Sequence, residues 1–457
     1  MRLSSGRSVR IAALTVTAAA AVAACGSTAP PPPSPTSQPA ATAEATADGL
    51  VKVPLTVPAE MRDGALATDR SVLIPRGWTM SVFSRTQSAR LATWTPDGKM
   101  LVSRPGDGKV DALTPNGSGP AETATLLDGL DQPHGLAFDG TTLYVAESSR
   151  INAYDYAGGE ATNRRTVVDG LPDAKSAELG GAYAHALKSV AVGPDKALYY
   201  SIGSSGNISA DDRDAVPQRA TIMRISPGGG TPQVFARGVR NGTGLAVAPD
   251  GAVWTAVNNR DNIQYPFDTG FGEEQGSQKG KVIDDYVADH PAEELAKLTP
   301  GRDLGWPYCN PDPDVQPGVA GTAYDYTAPK FVNDEETNPD GAKLDCSKLA
   351  PIEQTFGAHS APLGLAFAAG LPAPYGDGAL VGIHGSWNRQ PPRAPEVSFF
   401  PLQNGQLGAQ QTLVGGFQDA NGNRWGRPVA AVTGPDGAIY ITDDTAPAVY
   451  RLAPPGK

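Results

Sequence analysis

The chain is short of cysteine, histidine and charge. Its 457 residues include three Cys and five His, aromatic residues make up 7% and charged residues 19%. Beyond Cys25 only Cys309 and Cys346 remain, with no third or fourth Cys or close His to complete a tetrahedral metal site. Long apolar runs are missing beyond the N-terminus, where the one stretch with a helical look is Glu293–Leu298. A helical bundle, a coiled coil and a multi-span membrane protein are therefore excluded. Basic residues are in deficit, 37 against 48 acidic for a net charge of −11, which leaves no basic face for nucleic acid. No Gly-x-Ser-x-Gly elbow and no phosphate loop occurs, and Gly270-Phe-Gly272 lacks the strand and spacing of a dinucleotide site. What the chain has in excess is turn formers, 53 Gly and 42 Pro.

Arg2, Arg7 and Arg10 precede an apolar, Ala-rich stretch at residues 11–24 that is too short to span a bilayer and ends in Val22-Ala23-Ala24-Cys25. This reads as a secretory signal. The residues before Cys25 resemble the bacterial lipobox, which implies cleavage before Cys25 and a diacylglycerol anchor on its sulfur; an ordinary signal with an incidental Cys is the alternative. Cleavage there removes three Arg and no acid and leaves a charge of −14. Residues 26 to about 49 are Ser, Thr, Ala and Pro, with a proline run at 30–33, a composition that cannot bury a core. The expected organisation is a signal peptide at 1–24, a lipid-anchored tether over 25–68 and a catalytic domain over 69–457. The expected location is the extracytoplasmic face of the cell membrane, with the lipid as the only attachment. In that compartment a disulfide between Cys309 and Cys346 is expected, two free thiols being the alternative.

Self-similarity sets the fold class. An apolar run, a Pro-Asp-Gly-like turn and a second run rich in Val, Ile, Tyr and Trp recur around Pro96-Asp97-Gly98, Asp139-Gly140, Pro194-Asp195-Lys196, Pro249-Asp250-Gly251, Gly376-Asp377-Gly378 and Pro435-Asp436-Gly437. Each unit is a β-hairpin by turn chemistry and period. Intervals of roughly forty to sixty residues over most of the chain hold four strands, so the sequence predicts an all-β, six-bladed propeller. The wide gap between the fourth and fifth turns predicts a loop insertion between blades four and five, pinned by Cys309 and Cys346. Either Val72–Pro75 or Met80–Phe83 is expected to close the ring against residues 448–452. Two smaller β domains are the alternative.

Residues just before each inner strand crowd one mouth of a propeller channel. They are His134, His185, Arg240-Asn241, His359 and Arg427, with His384 close by. His185 and Arg240 lie ten residues before the Asp of their turns and Arg427 nine, so matching places in space are expected. Basic groups gathered at a mouth point to an anionic ligand, and a His among them can take a proton. The pair Asp443-Asp444 is expected to be solvated, and the loop Asn258-Asn-Arg-Asp261 suits a hard cation better.

The segments His185-Ala-Leu-Lys-Ser-Val-Ala-Val-Gly-Pro-Asp195, Gly238-Val-Arg-Asn-Gly-Thr-Gly-Leu-Ala246, Gly305-Trp-Pro307, His359-Ser-Ala-Pro-Leu-Gly364, His384-Gly-Ser-Trp-Asn-Arg389 and Trp425-Gly-Arg-Pro428 resemble the glucose/sorbosone dehydrogenase family. These are six-bladed propellers that carry pyrroloquinoline quinone (PQQ), and the resemblance covers residues 70–453. It implies that His185 takes the proton of a substrate hydroxyl while hydride passes to the quinone. It implies cofactor contacts from Arg240, Asn241 and Arg427, with Arg389 in place of the family's lysine and His134 nearest to its glutamine; His359 joins this set. It places calcium near Asn259 and Arg260. Ala184 stands where the soluble glucose enzymes have an Asp that orients the His, and Val429 where they have a second Arg. The expected partners are a small sugar and an external electron acceptor. A calcium-dependent propeller lactonase and a non-catalytic binding propeller are the alternatives.

Overall fold

The computed structural model describes residues 49–457 apart from 118, 180 and 182. The signal, Cys25 and residues 26–48 of the tether lie outside the described residues. Six antiparallel sheets follow one another along the chain. Blade one runs Ala92–Trp94, Met100–Arg104, Lys109–Asn116, Gly119–Leu127, and blade two Leu136–Asp139, Thr142–Ala146, Ile151–Ala157, Glu160–Val168. Blade three begins at Val190–Val192 and ends at Gln233–Arg237, with Arg302–Asp303 added in parallel at its edge. Blade four is Gly244–Val247, Val253–Ala256, Glu293–Leu298 and Gln354–Phe356. Blade five is Pro362–Leu371, Gly376–Ile383 and Glu396–Gln403, the last pairing with Gln411–Val414. Blade six is Pro428–Thr433, Ile439–Asp443 and Ala448–Ala453, completed from the other end of the chain by Thr79–Arg85. The expected six-bladed, all-β propeller is the fold.

Two local devices make it. In the hairpin turns Gly98, Gly251 and Gly437 hold φ of +83°, +85° and +78°, and at the third turn Lys196 takes the same left-handed conformation at +65°. At two points where neighbouring inner strands meet, there is no room even for a Cβ. A Cβ on Gly135 would lie 2.6 Å from Val190 N, and one on Gly364 2.5 Å from Ala430 Cβ. Between the blades, apolar faces interlock: Leu101, Leu143, Val145 and Tyr154 fill one seam, and Trp254, Phe356, Val381 and Phe400 another.

Four expectations need correction or refinement. Met80–Phe83 closes the ring, whereas Ser71–Pro75 pairs with Leu50–Pro54. The folded domain begins near residue 50 and not at 69, because Leu55, Val57 and Leu66 are buried in the core beside Met80 and Phe417. The extra residues lie inside blade four, between its second and third strands and between its third and fourth, and not between blades four and five. The Cys309–Cys346 disulfide lies within the second of these stretches. Lastly, Glu293–Leu298 is a strand despite its helix-forming residues, because Val253–Ala256 and Gln354–Phe356 pair with it on both sides.

Candidate active site at one mouth of the channel

The groups that precede the inner strands are tied within and between blades. Ser204 N of blade three donates to the Arg240 carbonyl at the entry of blade four (2.7 Å), while Asn258 N to the Asn241 carbonyl (3.0 Å) and His384 N to the Ala361 carbonyl (3.1 Å) close the hairpins of blades four and five. Ser189 Oγ reaches the Thr243 carbonyl, Thr243 Oγ1 the Pro362 carbonyl and Thr442 Oγ1 the Arg90 carbonyl. A cavity of about 250 Å³ opens between Arg90, Pro105, Leu187 and Asp444.

His185 is half-buried, and its Nδ1 lies 2.9 Å from Ser204 Oγ and 3.1 Å from the Ser204 carbonyl. The carbonyl can only accept, and the hydroxyl already donates to the Gly206 carbonyl at 2.7 Å, so Nδ1 carries the proton. Nε2 is left with its lone pair and makes no hydrogen bond among the described residues. Burial and then the nearby Arg240 charge push the imidazole down to about 3, so it is neutral at physiological pH. Ser204 thus does the orienting for which position 184, an alanine, has no group.

Arg240 is buried, and it donates from Nε to the Asn207 carbonyl (3.0 Å), from Nη1 to the Asn258 and Asn259 carbonyls (3.1 and 2.6 Å) and from Nη2 to Asn207 Oδ1 (3.0 Å). Burial lowers it to about 10, which still leaves it charged. Arg427 bonds the carbonyls of His384 (2.7 Å) and Gly385 (3.2 Å). Among the described residues both guanidinium groups hydrogen-bond only to neutral oxygens. Their charge is therefore not cancelled by direct ion pairing, which suits an anion.

The other expected contacts divide. His134 is sealed in the wall, with Nδ1 3.3 Å from the Lys188 carbonyl and Nε2 unpartnered, and burial and then Arg90 push it down to about 3. His359 donates from Nε2 to the Val287 carbonyl (2.7 Å) and faces Asp261 at 3.3 Å from Nδ1. Burial opposes its charge, but the Asp261 hydrogen bond and Glu293 outweigh it and raise its pKa. Arg389 is turned away: its Nη1 pairs with Asp289 at 3.0 Å, which cancels its charge. The Arg260 side chain forms an ion pair with Asp334 and Glu336 and offers no ligand atom. The Asn259 carboxamide is spent on Arg260 N, the Ala292 carbonyl and Glu294, and the Asn258 and Asn259 carbonyls accept from Arg240. The side chains at 259 and 260 are thus not a set of free oxygens for calcium.

Several residues at the mouth escaped the sequence reading. Asp444 is not solvated; it holds His384 Nε2 at 2.8 Å and Arg90 Nη1 at 2.8 Å, while Asp443 is buried against Thr445 N, Ala446 N and Tyr450 Oη. Glu293 caps Asn259 N and Ala361 N (3.3 and 2.7 Å), and burial lifts it to about 7. Lys188 is sealed beneath the mouth against the Pro172 carbonyl and the Tyr183 ring, and burial lowers it to about 7. Arg90 lies seven residues before Asp97 and so falls outside the nine-or-ten offset that marked the others. Trp387 in the His384–Arg389 loop is 72% exposed, and its neighbour Asn388 reaches Asn262 at 3.0 Å.

Comparison with known proteins agrees with this architecture. An uncharacterised protein of Borreliella burgdorferi is 23% identical over 398 residues, 83% of this chain and 90% of that protein. A PQQ-dependent pyranose dehydrogenase of Coprinopsis cinerea is 25% identical over 346 residues, 65% of this chain and 42% of that protein. The chain thus spans less than half of the Coprinopsis protein. Among solved structures, the holo PQQ domain of pyranose dehydrogenase from Coprinopsis cinerea superposes with a TM-score of 0.66 at 20% identity, covering 87% of this chain and 98% of that one, and it shares the fold. The sequence profile of the TrAA12-like family matches residues 72–454, and the chain belongs to that family.

Proposed function

We propose that the protein is a PQQ-dependent sugar oxidoreductase that works from the channel mouth, with His185 as the base. The observation that carries this reading is the fixed tautomer of His185, which presents an unprotonated Nε2 near the Arg240 guanidinium, a group without a carboxylate hydrogen-bond partner. PQQ is a planar tricarboxylate, and the residues fit it: Arg240, with Asn241 next to it at the entry of blade four, and Arg427 at the entry of blade six supply positive charge free of direct ion pairing. When bound, the quinone supplies the two-electron acceptor for hydride from the substrate carbon. His185 Nε2 accepts the proton of the substrate hydroxyl, and Ser204 keeps Nδ1 protonated so that the ring cannot turn the wrong nitrogen forward. Arg240 ties three carbonyls of the 207 and 258–259 loops into one wall. The face of Trp387 offers a stacking surface for a pyranose ring. No step is assigned to calcium, because the side chains at Asn259 and Arg260 are committed elsewhere and the Asn258 and Asn259 carbonyls accept from Arg240.

The relatives' printed activity supports the substrate class, an aldose or another pyranose, oxidised at a CH–OH group. The N-terminal residues support a lipid-anchored place outside the cytoplasm, with electrons leaving to an external acceptor. The test is reconstitution: purified protein given PQQ and calcium is expected to reduce a dye acceptor with some sugar of a pyranose and aldose panel. A non-catalytic binding propeller would take up PQQ or sugar in calorimetry without any turnover.

A further inference from the structure

Away from the mouth, in the residues inserted into blade four, His290, Asp312 and Asp314 converge. His290 Nε2 lies 3.0 Å from Asp314 Oδ1 and 3.4 Å from Asp312 Oδ1, and all three side chains are sealed from solvent. His290 Nδ1 lies 2.8 Å from the Tyr286 carbonyl, which can only accept, so Nδ1 carries a proton and the Nε2 lone pair faces two carboxylates. A lone pair and two carboxylate oxygens at that range repel one another. A positive centre has to sit at Nε2, either a proton or a metal ion.

The hydrogen-bond inventory favours the metal. Asp312 Oδ1 accepts from Asp314 N (3.1 Å) and Asp314 Oδ2 from Gly318 N (3.3 Å), but Asp312 Oδ2 is buried with no partner at all. A proton on His290 would leave a buried cluster of net charge −1 with that oxygen unsatisfied, whereas a divalent ion with neutral His290 and two carboxylates makes it neutral. The spacing also fits, since ligands about 2.0–2.1 Å from a first-row ion stand roughly 3.0–3.4 Å from each other. A His whose other ring nitrogen donates to a backbone carbonyl is the usual arrangement behind a metal ligand. A nitrogen ligand with few oxygens excludes calcium and magnesium.

We propose that His290, Asp312 and Asp314 form a binding site for a zinc-type divalent cation, unrelated to the quinone site. The ion would join the end of the helix Asp284–Asp289 to the strand Cys309–Asp312. That helix carries Val287, whose carbonyl holds His359, and Asp289, which holds Arg389, so the site braces one wall of the mouth.

The test uses full-length protein stripped with a chelator and desalted, then titrated with Zn²⁺ and, separately, Co²⁺. One zinc ion per chain is expected to survive desalting in the presence of excess Ca²⁺, and Asp312→Asn and His290→Gln are expected to weaken it about 100-fold or more. X-ray absorption of the zinc-loaded wild type, which needs no variant to fold, is expected to show one imidazole nitrogen among oxygen ligands. Failure of the wild type to retain zinc, retention unchanged in both variants, or an absorption spectrum without imidazole would each overturn the proposal.

Discussion

The Nδ1 of His185 lies 2.9 Å from Ser204 Oγ, and this contact decides which ring nitrogen can act. His185→Gln is expected to lower kcat about 10²–10⁴-fold with PQQ affinity kept. Ser204→Ala is expected to cost only about tenfold, because the backbone carbonyl at 3.1 Å still holds Nδ1. Since burial and Arg240 hold the imidazole near 3, dye-reduction rates are expected to show no acid limb at the ordinary His pKa of about 6.5. A limb there that disappears in His185→Gln would keep His185 as the base but overturn its lowered pKa, whereas full activity in His185→Gln would refute the assignment.

Arg427 and Arg389 test the charge argument against each other. Arg427 meets only carbonyls, so Arg427→Gln is expected to weaken PQQ about 10- to 100-fold in calorimetry. Arg389 already pairs with Asp289, and Arg389→Gln is expected to change affinity by about threefold or less. Equal losses in both variants would show that ion pairing within the protein does not decide which cation reads the ligand.

Asp444 makes stability depend on acid. Burial opposes its charge, yet the His384 hydrogen bond and the Arg90 guanidinium outweigh it and hold the carboxyl at about 2, below the ordinary 3.8. A lowered folded pKa contributes stability that is present above pH 3.8 and lost as the pH falls toward 2, on the order of 2 kcal/mol. Asp444→Asn is expected to melt earlier than wild type at pH 6 and to lose most of that difference only as the pH falls to about 2, in thermal scans across this window.

The disulfide closes a separation of 37 residues within the blade-four insertion. Replacing both cysteines by serine is expected to cost about 4 kcal/mol through the freedom returned to the unfolded chain, read as a lower denaturant midpoint.

Two truncations locate the domain edge. A chain starting at Gly49 is expected to melt like the full protein. A chain starting at Asp69 loses Leu55, Val57 and Leu66 from the core and is expected to lose on the order of 5 kcal/mol. Equal melting of the two would return the boundary to residue 69.

Much of the fold was legible because a propeller is written in local terms. Period-two strands, turn residues such as Asp97-Gly98 and the recurrent glycine at the start of an inner strand each act over a few residues, and their repetition counts the blades. The positions of His134, His185, Arg240, His359 and Arg427 before the inner strands followed from the same register. The strand at Glu293–Leu298 was not legible, since its residues favour helix and only pairing on both sides overrules them.

By itself, then, the sequence determined six blades, placed His134, His185, Arg240, His359 and Arg427 before the inner strands, and pointed to a disulfide between two cysteines. Tertiary structure alone decided which of those charges stay available. Arg389 is cancelled by Asp289, one hundred positions earlier, His384 and Arg90 share Asp444, and Arg427 keeps its charge. It alone also assembled His290 with Asp312 and Asp314. The physical reason is range: turn and strand preferences are set by neighbouring residues, whereas the electrostatic state of a side chain is set by whatever the fold packs within a few ångströms of it.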